Sequence, residues 1–336
     1  MTASQRRWFV AALGLLTVTL LVGVTVGPAG LPWHAPVTDL LNRLPNVQIG
    51  DRLTEQQSAI LWQLRMPRVV LGALVGGMLA VAGAGYQGVF RNPLADPYLL
   101  GVAAGAGLGA TLAIVGGAGV AVLPVAAFAG GVAGVGATYA LGRTAGGRGT
   151  HSMILAGVAV AAFLTAVQTY VQQQNTDVLR QVYGWILGRL LTAGWSEVLT
   201  VLPYVIAATA VIVMHRRLLD VLSVGSAEAG TLGVQVARVR LIVVLAATLG
   251  TAAVVSVSGL IGFVGIVVPH LVRMLAGTSY RVILAVSFLG GGAFLVVADM
   301  IARTIAAPAE LPVGVITAFV GAPFFVLVLR RSRRAW

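Results

Sequence analysis

Long apolar runs broken by short polar punctuation organise this chain. Nearly continuous Ala, Gly, Val and Leu occupy residues 8–27, 67–89, 98–115, 119–141, 152–172, 198–214, 239–256, 259–272, 282–302 and 312–330. A helix crosses a bilayer with about 20 apolar residues, and with fewer when it is buried among others. The pattern therefore predicts ten membrane spans. Transmembrane strands would alternate apolar and polar positions, and these runs do not. The expected fold class is an all-α polytopic membrane protein, one domain over residues 1–336, with an outer loop at 28–64 and a long loop at 215–240. The eighth run is short and carries Pro269. The first follows Arg6 and Arg7 but exceeds a signal-peptide core of about 7–15 residues and lacks a clear A-x-A site, so it reads as an uncleaved span.

Two polar interruptions stand out. FRNPLADPYLLG, residues 90–101, places two prolines after Asn92 and Asp96. A residue before proline is pushed out of the α region, so one helix stops and another starts there. A capped loop and a polar constriction at the mouth of a pathway both fit. HRRLLDVLSVGSAEAGTLGVQVARVR, residues 215–240, contains a small-residue helix, SAEAGTLG, bracketed by Gly225 and Gly233. Such a helix suits a groove on a partner, and a merely connecting, solvated loop fits as well.

Charge orients the chain. The net charge is +12, from 22 basic and 10 acidic residues. With ten spans and the N-terminus inside, 15 arginines and three acids (Asp96, Asp220, Glu228) lie on the cytoplasmic side, 15 − 3 = +12, and seven arginines balance seven acids outside. Basic residues concentrate on cytoplasmic loops, so both termini are expected in the cytoplasm and the net charge reads as topology rather than nucleic-acid binding. All basic residues are arginine. Without lysine the chain cannot build a P-loop or a Schiff base, and without cysteine it has no disulfide or thiolate metal site.

Several ionisable groups stay open to two readings. Asp299 and Arg303 lie four apart on one helix face, either as a local ion pair or as a functional intramembrane pair. Arg65 and Arg68 flank the start of the second span on the outer side, against the topology rule, which hints at acidic groups of something outside. Pro269 frees backbone carbonyls, as in helices that line pathways, yet proline also occurs in ordinary spans. His270 beside it is a structural histidine or a proton relay. The four histidines have no metal-ligand spacing, and no nucleophile–base pair or carboxylate dyad is visible. No enzymatic role, cofactor or metal is expected. Gly72–Gly76, Gly101–Gly105, Gly105–Gly109 and Gly130–Gly134 have the small-xxx-small spacing of closely packed helices.

Residues 65–105, RMPRVVLGALVGGMLAVAGAGYQGVFRNPLADPYLLGVAAG, resemble the permease subunits of bacterial ABC importers for iron complexes and cobalamin, the FecCD-type family. LRQVYGWILGRL, AEAGTLGV, GFVGIVVPHLVR and ADMIARTIAAPAELPVGVITAFVGAPFF follow in the family's order, so the resemblance spans about residues 60–330. It implies a type II ABC importer permease fold in the bacterial inner membrane and a homodimer around a central pathway lined by the fifth and tenth spans. Two ATP-binding subunits would dock underneath, and an extracytoplasmic substrate-binding protein would deliver an iron complex (ferric siderophore or haem), with a corrinoid as the alternative. On that resemblance Asn92 and Leu94 match an inner gate, and Thr150 with His151 a second gate, where GTHS is only loosely similar. Glu228, Ala229, Leu232 and Gly233 match the loop that couples to the ATPase. Arg65, Arg68 and Arg303 match outer arginines that receive the binding protein. An ion-coupled secondary transporter would instead need midplane ionisable residues, for which Asp299 is the one candidate. A membrane-embedded enzyme would need a catalytic constellation.

Overall fold

The computed structural model describes residues 2–27, 31–32, 34–42, 53–144, 150–190 and 194–332. Its helices are α1 (Ala3–Thr25), α2 (Ala35–Leu41), α3 (Glu55–Ala59), α4 (Met66–Phe90), α5 (Val102–Val115), α6 (Val122–Thr144), α7 (Thr150–Gln174) and α8 (Leu179–Ile186). They continue as α9 (Trp195–Met214), α10 (Arg216–Val224), α11 (Ser226–Thr231), α12 (Val236–Ser258), α13 (Val264–Ala276), α14 (Tyr280–Thr304) and α15 (Val313–Ser332). Among the described residues the fold is all-α. Seven helices are long and apolar enough to cross a membrane, and α5, α13 and α15 are shorter apolar helices. Together these ten coincide with the ten apolar runs.

Helix α4 forms the axis of the bundle. Twenty of its 25 residues are buried, and it packs against α9, α12, α13 and α14. Its small side chains make that possible. A Cβ on Gly76 would sit 2.2 Å from the Gly291 carbonyl oxygen of α14, and one on Gly83 would sit 2.0 Å from the Gly265 oxygen of α13. The small-xxx-small spacings act within the chain, since Gly105 of α5 meets the Gly130 backbone of α6. Gly83→Ala forces α4 and α13 apart, so it is expected to cost at least the upper end of the roughly 1–3 kcal/mol typical of overpacking. Thermal melts of the purified chain would measure it, with Gly136→Ala, which meets open space, as the silent comparison.

Three boundaries differ from expectation. The outer loop 28–64 ends in helix, because α3 runs through a π-helical segment, Ile60–Arg65, straight into α4. Thr54 and Gln57 form a capping box that starts it. The 215–240 loop holds two helices, since Leu219 and Leu222 give RRLLDVLSV a buried apolar face. The eighth span is helical only from Val264. Residues 259–263 are its break, with Phe263 in the left-handed region at φ 69°, whereas the helix continues through Pro269.

Candidate functional site

Asn92 and Leu94, the residues expected at the first gate, belong to a tightly specified turn. Arg91, left-handed at φ 52°, closes α4. The Asn92 side-chain oxygen accepts the Leu94 N–H at 2.9 Å, and the Ala95 N–H donates to the Asn92 carbonyl at 3.0 Å. Asp96 caps the next turn, a 3-10 helix at Pro97–Leu100, by accepting the Tyr98 N–H at 2.8 Å. These are the local hydrogen bonds that Asn and Asp use to compete with helix. Leu94 remains exposed at the tip. The Tyr98 hydroxyl reaches across to the helix break, donating to the Ile261 carbonyl at 3.1 Å and accepting the Ile261 N–H at 3.2 Å. Irregular backbone at membrane depth needs such partners.

Burial of Asp96 in this loop raises its carboxyl from 3.8 to about 6, partly opposed by the Tyr98 N–H. A raised native pKa means the folded state holds the proton more tightly, so the stabilising contribution is present below about pH 4 and is lost as pH rises through about 6. Asp96→Asn keeps the acceptor for Tyr98 and removes the titration. Melting temperatures from pH 4 to 7 should therefore fall for the native chain relative to the Asn variant across that window and run parallel above it.

Gln87, at the end of α4, anchors this loop and was not singled out by the sequence. It is 3% exposed, and its amide donates to the Gly265 carbonyl at 3.0 Å and to the Ala95 carbonyl at 3.3 Å. Pro269 lacks the N–H that would have bonded Gly265, four residues earlier, so Gln87 fills the vacancy. His270 packs edge-on to Phe324 of α15, a structural contact. The second gate candidates, Thr150 and His151, open α7, but their side chains lie outside the described residues. They share no described contact with the 91–96 loop.

At the expected coupling segment, α11 and the two residues after it turn one side chain inward and leave the other described positions outside. Ala229 is fully buried, whereas Glu228, Leu232 and Gly233 are exposed, Leu232 to 71%. Gly233 ends the turn at φ 80°, a region that favours glycine. The result is an exposed leucine at the end of a short helix.

The outer arginines are turned inward. Arg65, 5% exposed, donates to the carbonyls of Val24 at 3.2 Å and Thr25 at 2.6 Å. Arg303, 3% exposed, donates to the Gly23 carbonyl. Both cap the C-terminus of α1, which carries no basic residue in its own last turn and where cations are favoured by the helix dipole. Arg68 forks between two acids, 2.8 Å from Asp299 and 2.9 Å from Glu310. Asp299 thus takes its tight pairing from Arg68, with Arg303 Nε farther away at 3.6 Å. The three guanidiniums are held within the bundle rather than projecting from it.

The profile of the FecCD transport family matches residues 15–331. The chain belongs to the FecCD transport family. Its relatives include the cobalamin import system permease of Halobacterium salinarum, 39% identical over 96% of this chain and 95% of that protein. The Fe(3+) dicitrate permease FecD of Escherichia coli is 38% identical over 93% and 95%, and the hemin transport permease of Yersinia pestis 40% over 80% and 83%. A solved metal-chelate type ABC transporter in an inward-facing conformation superimposes with TM-score 0.85 at 27% identity, covering 97% of this chain and 99% of that one. The chain is accordingly a multi-pass permease subunit of an ABC importer, and ATP hydrolysis resides on a separate subunit.

Proposed function

We propose that two copies of this chain enclose a central pathway in the bacterial inner membrane and import an iron complex, a ferric siderophore or haem, by alternating access. Two ATP-binding subunits work from below and a soluble binding protein delivers from outside. The observation that carries this reading is the pairing, on one family permease, of an ordered polar loop at 91–96 with an exposed apolar tip at Leu232. The first suits a gate and the second suits a socket on a partner. Further support comes from the apolar faces that α7 and α15 leave uncovered, at Leu155, Phe163 and Phe319, which fit a pathway between copies. Asn92, Leu94, Thr150 and His151 serve as the inner gates. Glu228, Ala229, Leu232 and Gly233 serve as the ATPase contact. Arg65, Arg68 and Arg303 contribute to binding-protein docking by bracing the outer surface, with half-buried Glu310 at its rim.

Iron complexes come first because two of the three relatives named above carry iron chelates in their names. The cobalamin permease, matched over more of the chain than the haemin one, makes a corrinoid the second reading. Uptake of labelled ferric siderophore, haem and cobalamin in a strain lacking the chain, with and without re-expression, separates these. Chain-dependent uptake of either iron label supports the proposal. Uptake of cobalamin alone transfers it to corrinoids, and dependence of none overturns it.

A further inference from the structure

A continuous line of polar contacts runs from the coupling segment to the gate loop. Asp220, on α10 immediately before α11, accepts the Tyr280 N–H at 2.7 Å and the Ser279 hydroxyl at 3.4 Å. It thereby caps α14 from another element, a role that Ser279, the cap residue itself, does not fill. The Tyr280 hydroxyl, in a buried residue, accepts from Arg273 at 3.3 Å, and the guanidinium also lies 5.8 Å from the Tyr280 ring centroid. Arg273, in the last turn of α13, donates its other terminal nitrogen to the Gln87 side-chain oxygen. Gln87 passes the line on through its amide N–H groups to Ala95 in the gate loop.

Each link is held where it is. A guanidinium has no acceptor and a carbonyl no donor, so the Gln87 amide has one orientation that satisfies both sides. Leu219 and Leu222, one turn of α10 with Asp220, are buried, which ties α10 to the bundle and makes its displacement costly unless its neighbours follow. Gly88 lies directly beneath the Tyr280 hydroxyl, where a Cβ would approach to 2.8 Å. A shift of α10 therefore pulls on the N-terminus of α14, and the tyrosine cannot tilt without moving Arg273. Gln87 and Tyr280 are buried and Asp220 and Arg273 half-buried, and where such a network has buried members, losing one leaves them unsatisfied.

We propose that Asp220, Tyr280, Arg273 and Gln87 form a relay of positioning residues that carries displacement of the α10–α11 segment to the 91–96 gate loop. The inference rests on the importer reading above. It assigns the loop's ATP response to side chains placed between the α10–α11 segment and the loop.

The chain has no cysteine, so Pro93→Cys, at an exposed loop position, gives one thiol beside the gate. The complex with its captured ATPase is reconstituted, and thiol labelling by a membrane-impermeant maleimide is timed with and without ATP and vanadate. Coupling between sites typically amounts to about 5- to 150-fold, and a rate change in that range is expected in the Pro93→Cys background. Arg273→Gln, and separately Gln87→Glu, which keeps the contact to Arg273 but loses the donors to Ala95 and Gly265, should reduce the change to within about twofold while ATP hydrolysis continues. Asp220→Asn keeps the acceptor for Tyr280 and should retain the response that Asp220→Ala loses at an unchanged rate of ATP hydrolysis, a split that mere loss of a helix cap would not produce. Should Arg273→Gln fail to assemble, the Gln87→Glu arm decides. An undiminished labelling response in the folded variants overturns the relay and leaves the importer reading intact. A background complex that hydrolyses ATP without any labelling response overturns the relay as well, and failure to capture any ATPase overturns the importer reading and the relay with it.

Discussion

Arg68→Ala is expected to destabilise the chain by about 3–5 kcal/mol, the usual cost of removing one partner from a buried ion pair. Asp299 is nearly fully buried and receives three hydrogen bonds from the Arg68 guanidinium, at 2.8, 3.0 and 3.1 Å. With Arg68 gone, its nearest cation is Arg303 Nε at 3.6 Å, beyond hydrogen-bond reach. Arg303 is itself committed to the Gly23 carbonyl, so it cannot turn fully to Asp299 without uncapping α1. The damage should spread to α1, which touches the rest of the bundle chiefly through α14. Thermal or denaturant unfolding in detergent would measure the loss. The double variant Arg68→Met with Asp299→Leu removes both charges and should be more stable than Arg68→Ala, because replacing a buried pair by apolar side chains is often neutral or stabilising. A loss below about 1 kcal/mol for Arg68→Ala would be that of a solvent-exposed pair and would refute the clasp.

That clasp also marks the limit of what the sequence carried. The ten spans were legible because each depends on local composition, and every run found its helix. The 91–96 turn was legible for the same reason, since proline after Asn92 and after Asp96 acts on its own neighbours. The partner of Asp299 was not legible. Spacing offered Arg303, four residues away, whereas the tighter contact comes from Arg68, 231 residues distant in sequence, and no local pattern encodes that choice. Pro269 lies between these extremes. The sequence says that a carbonyl is freed, but only the packing of α13 on α4 at Gly83 brings Gln87 within 3.0 Å of it. Gln87 did leave a faint signal as the lone amide in the apolar run AGAGYQGVF. The start of α3 left a stronger one, because Thr54 and Gln57 have the spacing of a capping box. Helix was missed there because the membrane-span criterion rewards only apolar runs, and TEQQSAILWQLR is amphipathic.

Leu232→Glu should leave the permease folded and strip it of its ATPase. The side chain is 71% exposed at the end of α11, so the folded chain loses little when a carboxylate replaces it, within about 0.5 kcal/mol for such a surface change. In the complex the same carboxylate would be buried in a socket that Leu232 had filled. Interface anchors of this kind carry about 2 kcal/mol or more each, which corresponds to a weakening of roughly 30-fold or greater. Gly233→Trp attacks the same contact by a different route. The glycine holds φ 80° with open space around its Cα, so a bulky residue both strains the turn and keeps the partner at a distance. Ala229→Leu should behave differently, because Ala229 is buried against the bundle and its enlargement unseats α11 from its own chain. Co-purification with the ATPase, read beside the melting temperature, separates these cases. Leu232→Glu should lose the ATPase at an unchanged melting temperature, Gly233→Trp should lose it with a modest fall from the strained turn, and Ala229→Leu should lower both. Retention of the ATPase by Leu232→Glu would mean that α11 is not the contact, and the exposed tip would then have to be explained without a partner.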